Sequence, residues 1–174
     1  PLATGAIAPS SVYLARVIAR EAQLTTASAV IEYGPGTGVF TQEILRTLPR
    51  TAKFIAIERN PRMAAIFRRR LPNIRLFEGC VSNVEEFAAL AGISAADAIV
   101  SGLPWASFDS DLQRRLLEPA LRILRPGGRF VTFAYLHARS LPAGRRFQNS
   151  LHTYFQTVTL SRPVWLNFPP ALVY

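Results

Sequence analysis

Short apolar runs alternate with longer amphipathic stretches along most of the chain. "VYLARVIAREAQL", behind a Pro9-Ser10-Ser11 cap, has the spacing of a helix, with Leu14, Val17, Ile18 and Leu24 on one face. "SAVIEY" reads as a strand, "GPGTG" as a turn and "VFTQEILRTL" as a helix stopped near Pro49. The alternation continues with strands "AKFIAIE", "IRLFEG", "DAIVSG" and "RFVTFAYL" and helices "PRMAAIFRRRL", "VEEFAALAG" and "SDLQRRLLEPALRIL". Pro119 is expected to kink or divide the last of these helices.

Strands alternating with helices predict right-handed crossovers and a parallel sheet covered on both faces. The end of the chain departs from this pattern. Residues 137–150 read as a loop or a broken short helix, whereas "TYFQTVTLSRPVWL" and "PALVY" read as strands with no helix between them. The predicted architecture is an α/β, Rossmann-like, doubly wound, seven-stranded, mostly parallel sheet with an antiparallel C-terminal strand pair. Residues 1–174 are expected to form one domain, with a helical cover over 1–24, a cofactor-binding core over 25–136, and a substrate-side loop and antiparallel strands over 137–174.

Of the 174 residues, 49% are hydrophobic, enough for a folded core. No apolar run is long enough to cross a membrane, and no signal-peptide pattern is present. Cys80 is the single cysteine, and His137 and His152 are the two histidines, so no metal is expected. The lone thiol fits a reducing, cytoplasmic compartment. The net charge of +9 comes from nineteen arginines and Lys53. It suits an anionic partner, either nucleic acid or a membrane surface, although an arginine-favouring genome gives the same composition.

The chemistry concentrates after the first strand, in "EYGPGTG". Glycines at 34, 36 and 38 allow tight backbone angles and close approach of a ligand at a helix N-terminus. A dinucleotide fingerprint needs a third glycine where Val39 stands, and a phosphate loop needs a lysine that is absent. Glu58 ends the second strand, twenty residues after Gly38, where a carboxylate can accept ribose hydroxyls.

This combination, with "LRPGGRF" and the expected antiparallel tail, resembles the class I S-adenosylmethionine-dependent methyltransferases over nearly the whole chain. The resemblance implies S-adenosyl-L-methionine as cofactor, bound by Glu32, Gly34, Gly36, Thr37, Gly38, Glu58, Arg59, Gly79, Cys80, Val81, Ser101 and Leu103. Many members carry an aspartate for the adenine amine where this chain has Cys80, so adenine is expected to rely on the backbone of Cys80 and Val81.

"SGLPW" follows the fourth predicted strand. Aligned on Leu-Pro-aromatic, the ribosomal RNA adenine dimethylases have asparagine where this chain has Gly102, which offers no side-chain acceptor. Ser101 can replace it only if the loop shifts. "TGAIAPSS", "SGLPW" and "RPVWLNFPPALVY", with Trp165, Asn167, Pro169 and Pro170, are similar to the bacterial phospholipid N-methyltransferases. That resemblance implies successive methylation of phosphatidylethanolamine to phosphatidylcholine, peripherally on the inner face of the cell membrane, with no nucleic acid. A related family acts on ornithine lipids, and short patterns do not separate the two. An RNA adenine methylase ranks behind both, given Gly102 and the absence of a helical RNA-binding segment after the sheet. Such lipid enzymes often add an amphipathic N-terminal docking helix, which the sequence from Pro1 does not display.

Trp105, Tyr135 and Tyr13 are the candidates for an aromatic cage around an alkylated ammonium, although each ring also suits a core. His137 is the candidate proton acceptor, with an exposed loop histidine as the alternative. Arg139, Arg145 and Arg146 suit a lipid phosphate or a solvated face. Arg68, Arg69 and Arg70 close a helix and suit its dipole.

Overall fold

The computed structural model describes residues 10–174; Pro1–Pro9, with most of the "TGAIAPSS" motif, lie outside it. The first element is helix α1 (Val12–Glu21), capped by Ser11, whose hydroxyl accepts from the Leu14 N–H. Leu14 and Ile18 are buried on its inner face, and Leu24 follows in a short 3₁₀ turn.

Then come β1 (Ala29–Tyr33), α2 (Val39–Thr47), β2 (Lys53–Glu58), α3 (Pro61–Arg70), β3 (Leu76–Glu78), α4 (Val84–Leu90), β4 (Ala96–Ser101) and α5 (Ser110–Ile123). The chain finishes with β5 (Leu124–Tyr135), α6 (Leu136–Arg139), α7 (Pro142–Tyr154) and β6 (Ala171–Val173). One six-stranded sheet results, in the order β3-β2-β1-β4-β5-β6, parallel except for the β5–β6 pair.

Strand periodicity sorts the core into two layers. Ile31 and Tyr33 face α4, α5 and α7 on one side, while Val30 faces α1 and α2 on the other. The order reverses at β1, which lies between β2 and β4. A crevice opens there, at the C-terminal ends of the strands.

The structure departs from expectation at three places. Pro119 does not divide α5, which runs unbroken because Leu116, Leu117, Pro119, Ala120 and Ile123 all gain burial against the sheet. Residues 142–154 form a full helix, with Pro142 in its first turn and Phe147 and Leu151 buried four residues apart. The predicted strand over "TYFQTVTLSRPVWL" is absent, so the sheet has six strands rather than seven. Its last part lies beside β6, where Ser161 N–H donates to the Val173 carbonyl at 2.9 Å, and Val164 makes a single bridge to Ala171. Pro163, between them, has no N–H to extend the ladder.

At the opposite end of the sheet, Asp97 fastens β1 to β4. Its Oδ2 accepts from the N–H groups of Ser28 and Ala29 at 2.7 and 2.8 Å, and its Oδ1 pairs with Arg125. Burial alone would raise its pKa, but the two N–H donors and the guanidinium outweigh it and hold the carboxyl below the usual range. That stabilisation is complete above the ordinary carboxylate pKa and is lost as pH falls through the lower folded value. Asp97→Asn is therefore expected to cost about 1–3 kcal/mol in urea unfolding at pH 7. The gap between parent and variant should close as the pH is taken below 4.

Candidate active site

Gly34, Gly36 and Gly38 adopt φ of +64°, +54° and +85°, angles that side chains disfavour. Pro35 and Thr37 between them complete a turn that delivers the chain to the N-terminus of α2. A Cβ on Gly36 would meet nothing within 4 Å, so this backbone faces open space. Above the turn lies a crevice of about 540 Å³, lined by Gly34–Thr37, Glu58, Asn60, Leu103–Ser107, Phe133–Tyr135, Phe147 and Tyr174 among others.

Glu58 stands at the end of β2 on the crevice wall. Its Oε2 accepts from the Gly36 N–H at 3.3 Å and its Oε1 from the Asn60 N–H at 2.8 Å. Both bonds fix the carboxylate, and each oxygen keeps lone-pair capacity for hydroxyls of a ligand. Asn60 caps α3 through its Oδ1 and lines the same wall. Its place just before Pro61 is a readable helix start, but nothing in the sequence marked it as part of the site.

Glu32 lies beneath the turn rather than on the crevice wall. Its Oε2 accepts the Thr41 hydroxyl of α2 at 2.6 Å, while Oε1 is buried without a partner among the described residues. Burial is the main cause that pushes its carboxyl up to about 8; the Thr41 bond opposes this and the nearby Glu58 charge adds to it. At neutral pH the group is protonated, and it acts by joining β1 to α2 under the glycines. On the opposite face of β1 the Tyr33 hydroxyl is also buried without a partner among the described residues, and burial drives its pKa upward.

The loop after β4 closes over the turn after β1. Gly102 N–H donates to the Tyr33 carbonyl at 2.8 Å, and a Cβ on Gly102 would come within 2.8 Å of the Gly34 carbonyl oxygen. Leu103 covers Gly34 just as closely. A side chain at 102 thus has no room, which explains why the loop has glycine where an acceptor was sought.

Ser101 does not fill that gap. Its hydroxyl is fully buried and accepts from Trp105 Nε1 at 2.9 Å, so it anchors the indole instead of facing a substrate. Trp105, expected to offer an open face, is only 2% exposed. Phe147 stacks on its ring at 5.7 Å, Phe108 and Phe130 meet it edge-on, and Gln113 binds its carbonyl. The indole touches the crevice as part of a packed wall. It is not a free platform.

Tyr135 lines the crevice half-buried, with burial raising its hydroxyl pKa, and stacks on His137 at 5.8 Å. His137 itself is exposed and does not line the crevice. Tyr13 is likewise outside it, on the exposed side of α1 beneath Arg16. Arg59, Gly79, Cys80 and Val81 also lie off the crevice lining; Gly79 is packed where a Cβ would meet the Phe87 ring at 2.7 Å. Gly38 caps α2 next to Leu71 rather than facing the opening.

Phe133, Phe147 and Tyr174 join the wall without having been singled out in the sequence. Phe147 comes from α7, read as a loop or a broken short helix, so its periodic partner Leu151 was the available signal. Arg139 lies close to Tyr174, whose hydroxyl pKa is raised by burial, an effect the guanidinium opposes.

The methyltransferase-domain family matches residues 30–128. The ornithine lipid N-methyltransferase of Singulisphaera acidiphila is 37% identical over 131 residues, 74% of this chain and 68% of the relative. The ribosomal RNA small subunit methyltransferase A of Chlorobaculum parvum is 35% identical over 103 residues, 59% of this chain and 35% of that protein. Among solved structures, the O-methyltransferase TomG from Streptomyces achromogenes aligns with TM-score 0.68 at 19% identity, covering 92% of this chain and 78% of that one. A Bacillus cereus O-methyltransferase aligns at 0.69 and 14% identity, covering 99% and 82%. At these identities the structural likeness is one of fold.

Two outcomes test the geometry. Gly102→Ala should destabilise the protein by about 1–3 kcal/mol, because the added methyl group meets backbone rather than a mobile side chain. Calorimetry should show weaker binding of S-adenosylmethionine in the same variant. For Glu32, the raised pKa means that the native state keeps a proton the unfolded chain releases, so its contribution is greatest at low pH and falls as pH rises. Glu32→Gln keeps the shape without the ionisation. Comparing urea unfolding at pH 5 and pH 8 should show the variant gaining roughly 1–3 kcal/mol on the parent over that interval.

Proposed function

This chain belongs to the methyltransferase-domain family, as a class I S-adenosylmethionine-dependent methyltransferase, and on that premise we propose that it methylates the amine headgroup of a membrane lipid. The observation that carries the proposal is the 37% identity to an ornithine lipid N-methyltransferase across 74% of the chain. The acceptor classes are ornithine lipid and phosphatidylethanolamine, the latter giving phosphatidylcholine by successive turns. We place the reaction peripherally on an anionic, cytoplasmic membrane face. No helix among the described residues is long and apolar enough to cross a membrane.

The residues present suit the methyl donor. The positive-φ glycines give a backbone that a ligand can approach, Gly36 opens onto empty space, and Glu58 offers a fixed carboxylate for hydroxyls. S-adenosylmethionine supplies an electrophilic methyl group on a sulfonium. The protein's part is to bring a neutral nitrogen into line and exclude water, for which proximity and orientation suffice.

The acceptor side of the crevice suits an amine bearing apolar chains. Phe133, Tyr135, Phe147 and Tyr174 supply aromatic surface, and Tyr135 is the half-buried ring we assign to the alkylated ammonium. Trp105 supports that wall through Phe147. A proton released from the ammonium can pass to water at the open mouth, so no buried base is required.

Gly102 weighs against a nucleic-acid acceptor. An adenine amine needs a hydrogen-bond acceptor in this loop, and Ser101 is committed to the indole. Incubation with labelled donor and vesicles containing ornithine lipid or phosphatidylethanolamine, with ribosomal RNA in parallel, is expected to label a lipid and leave the RNA blank. Preferential labelling of RNA would overturn the proposal, and the relative rates on the two lipids name the acceptor.

A further inference from the structure

Charge is distributed unevenly along the chain. Residues 21–118 carry eleven acidic and eleven basic side chains and cancel, whereas residues 1–20 and 119–174 carry nine arginines and no carboxylate side chain. Arg20, Arg122 and Arg125 are tied to Glu21, Glu85 and Asp97. Arg16 and Arg162 have no carboxylate partner among the described residues.

The same acid-free segments expose large apolar side chains together. In the loop before β6, Val164 and Asn167 turn inward, while Trp165, Leu166 and Phe168 are 69%, 66% and 86% exposed. Asn167 is the buried clamp. Its Oδ1 accepts from the Ser11 N–H at 2.8 Å and its Nδ2 donates to the Pro169 carbonyl at 2.7 Å. This sets the loop beside the first turn of α1, where Val12 and Tyr13 are each 48% exposed and Arg16 lies over the Tyr13 ring. The patch borders the crevice: Ser10 lines it, and Leu136, next to the lining Tyr135, donates its N–H to the Pro170 carbonyl at 2.8 Å.

The clamp holds these side chains facing outward. Contiguous exposed apolar side chains mark an interaction surface, and tryptophan and tyrosine with flanking arginine suit the headgroup boundary of a bilayer. Two copies meeting at this face would bring arginines against arginines with no carboxylate to pair them, which disfavours self-association.

We infer that Val12, Tyr13, Trp165, Leu166 and Phe168, flanked by Arg16 and Arg162, form the face that docks this protein on an anionic lipid bilayer, with the crevice mouth turned toward the headgroups. This rests on the lipid-acceptor reading and deepens it. A docked enzyme receives the amine at the surface, while the acyl chains stay in the membrane. Anionic lipids add an attraction of about 1 kcal/mol per well-placed basic side chain.

The protein carries its own reporter, because Trp105 and Trp165 are the two tryptophans and Trp105 is already buried. On adding phosphatidylcholine vesicles containing phosphatidylglycerol, Trp165 emission should shift to the blue and become protected from acrylamide. Vesicles of phosphatidylcholine alone should produce a smaller change. The double variant Trp165→Ala, Phe168→Ser leaves Val164 and Asn167 in place, and should bind anionic vesicles about tenfold or more weakly, the scale expected from losing two inserted aromatic side chains. It should methylate acceptor embedded in vesicles correspondingly more slowly, yet match the parent on short-chain acceptor dispersed in micelles.

An unchanged emission with anionic vesicles, or equal binding by the variant, overturns the inference. So does a blue, protected Trp165 before any lipid is added, which would mean that residues 1–9, a second copy or another protein covers the patch. Vesicle binding without methylation of any lipid would instead sink the acceptor proposal and leave the docking face standing.

Discussion

The site depends on how closely two loops approach each other at the end of the sheet. The turn after β1 and the loop after β4 touch through backbone: Gly102 donates to Tyr33, and a Cβ on Gly102 would meet the Gly34 carbonyl oxygen, while one on Gly34 would meet the tip of Leu103. This contact brings the crevice floor and its ceiling together without interposed side chains. Leu103 then covers the turn, and the rest of the loop swings out to line the facing wall of the crevice. A bulkier residue at either glycine would separate the two halves.

Support for that contact is layered. Below the turn, Glu32 and Thr41 join β1 to α2 through a carboxyl that burial keeps protonated. Beside it, Glu58 receives Gly36 and Asn60. Above it, Ser101 and Gln113 hold Trp105, and the indole continues into an aromatic run through Phe147 to Tyr174. The polar groups that look like chemistry are largely occupied in holding the walls. Glu58 and Asn60 both shape the crevice and line it.

The glycine-turn side of the crevice was legible in the sequence because its signals are local, whereas Gly79, Cys80 and Val81, read with it, lie off the lining. Apolar runs set the strands, positive-φ glycines mark the turn, and Glu58 sits at a fixed distance along the chain. The facing aromatic wall was not, since its geometry is set by packing between distant segments. Trp105 read as an exposed platform because nothing near it in the chain announces Phe147, which arrives on a helix that Pro142 and Gly144 disguised as loop. "TYFQTVTL" has the β-branched and aromatic content of a strand, but α7 runs through Tyr154 and Pro163 stops the ladder beside β6. Ser101, read as a substitute acceptor only on a shift of the loop, is held instead by its bond to the indole.

The carboxylate-free segments at the two ends of the chain also fix the sign of the field beside α1 and β6. A cation approaching unpaired guanidinium groups is destabilised relative to its neutral form. Arg16 and Arg162 therefore repel small cations from that side of the molecule and draw anions to it, an asymmetry that orients the whole protein before any contact is made.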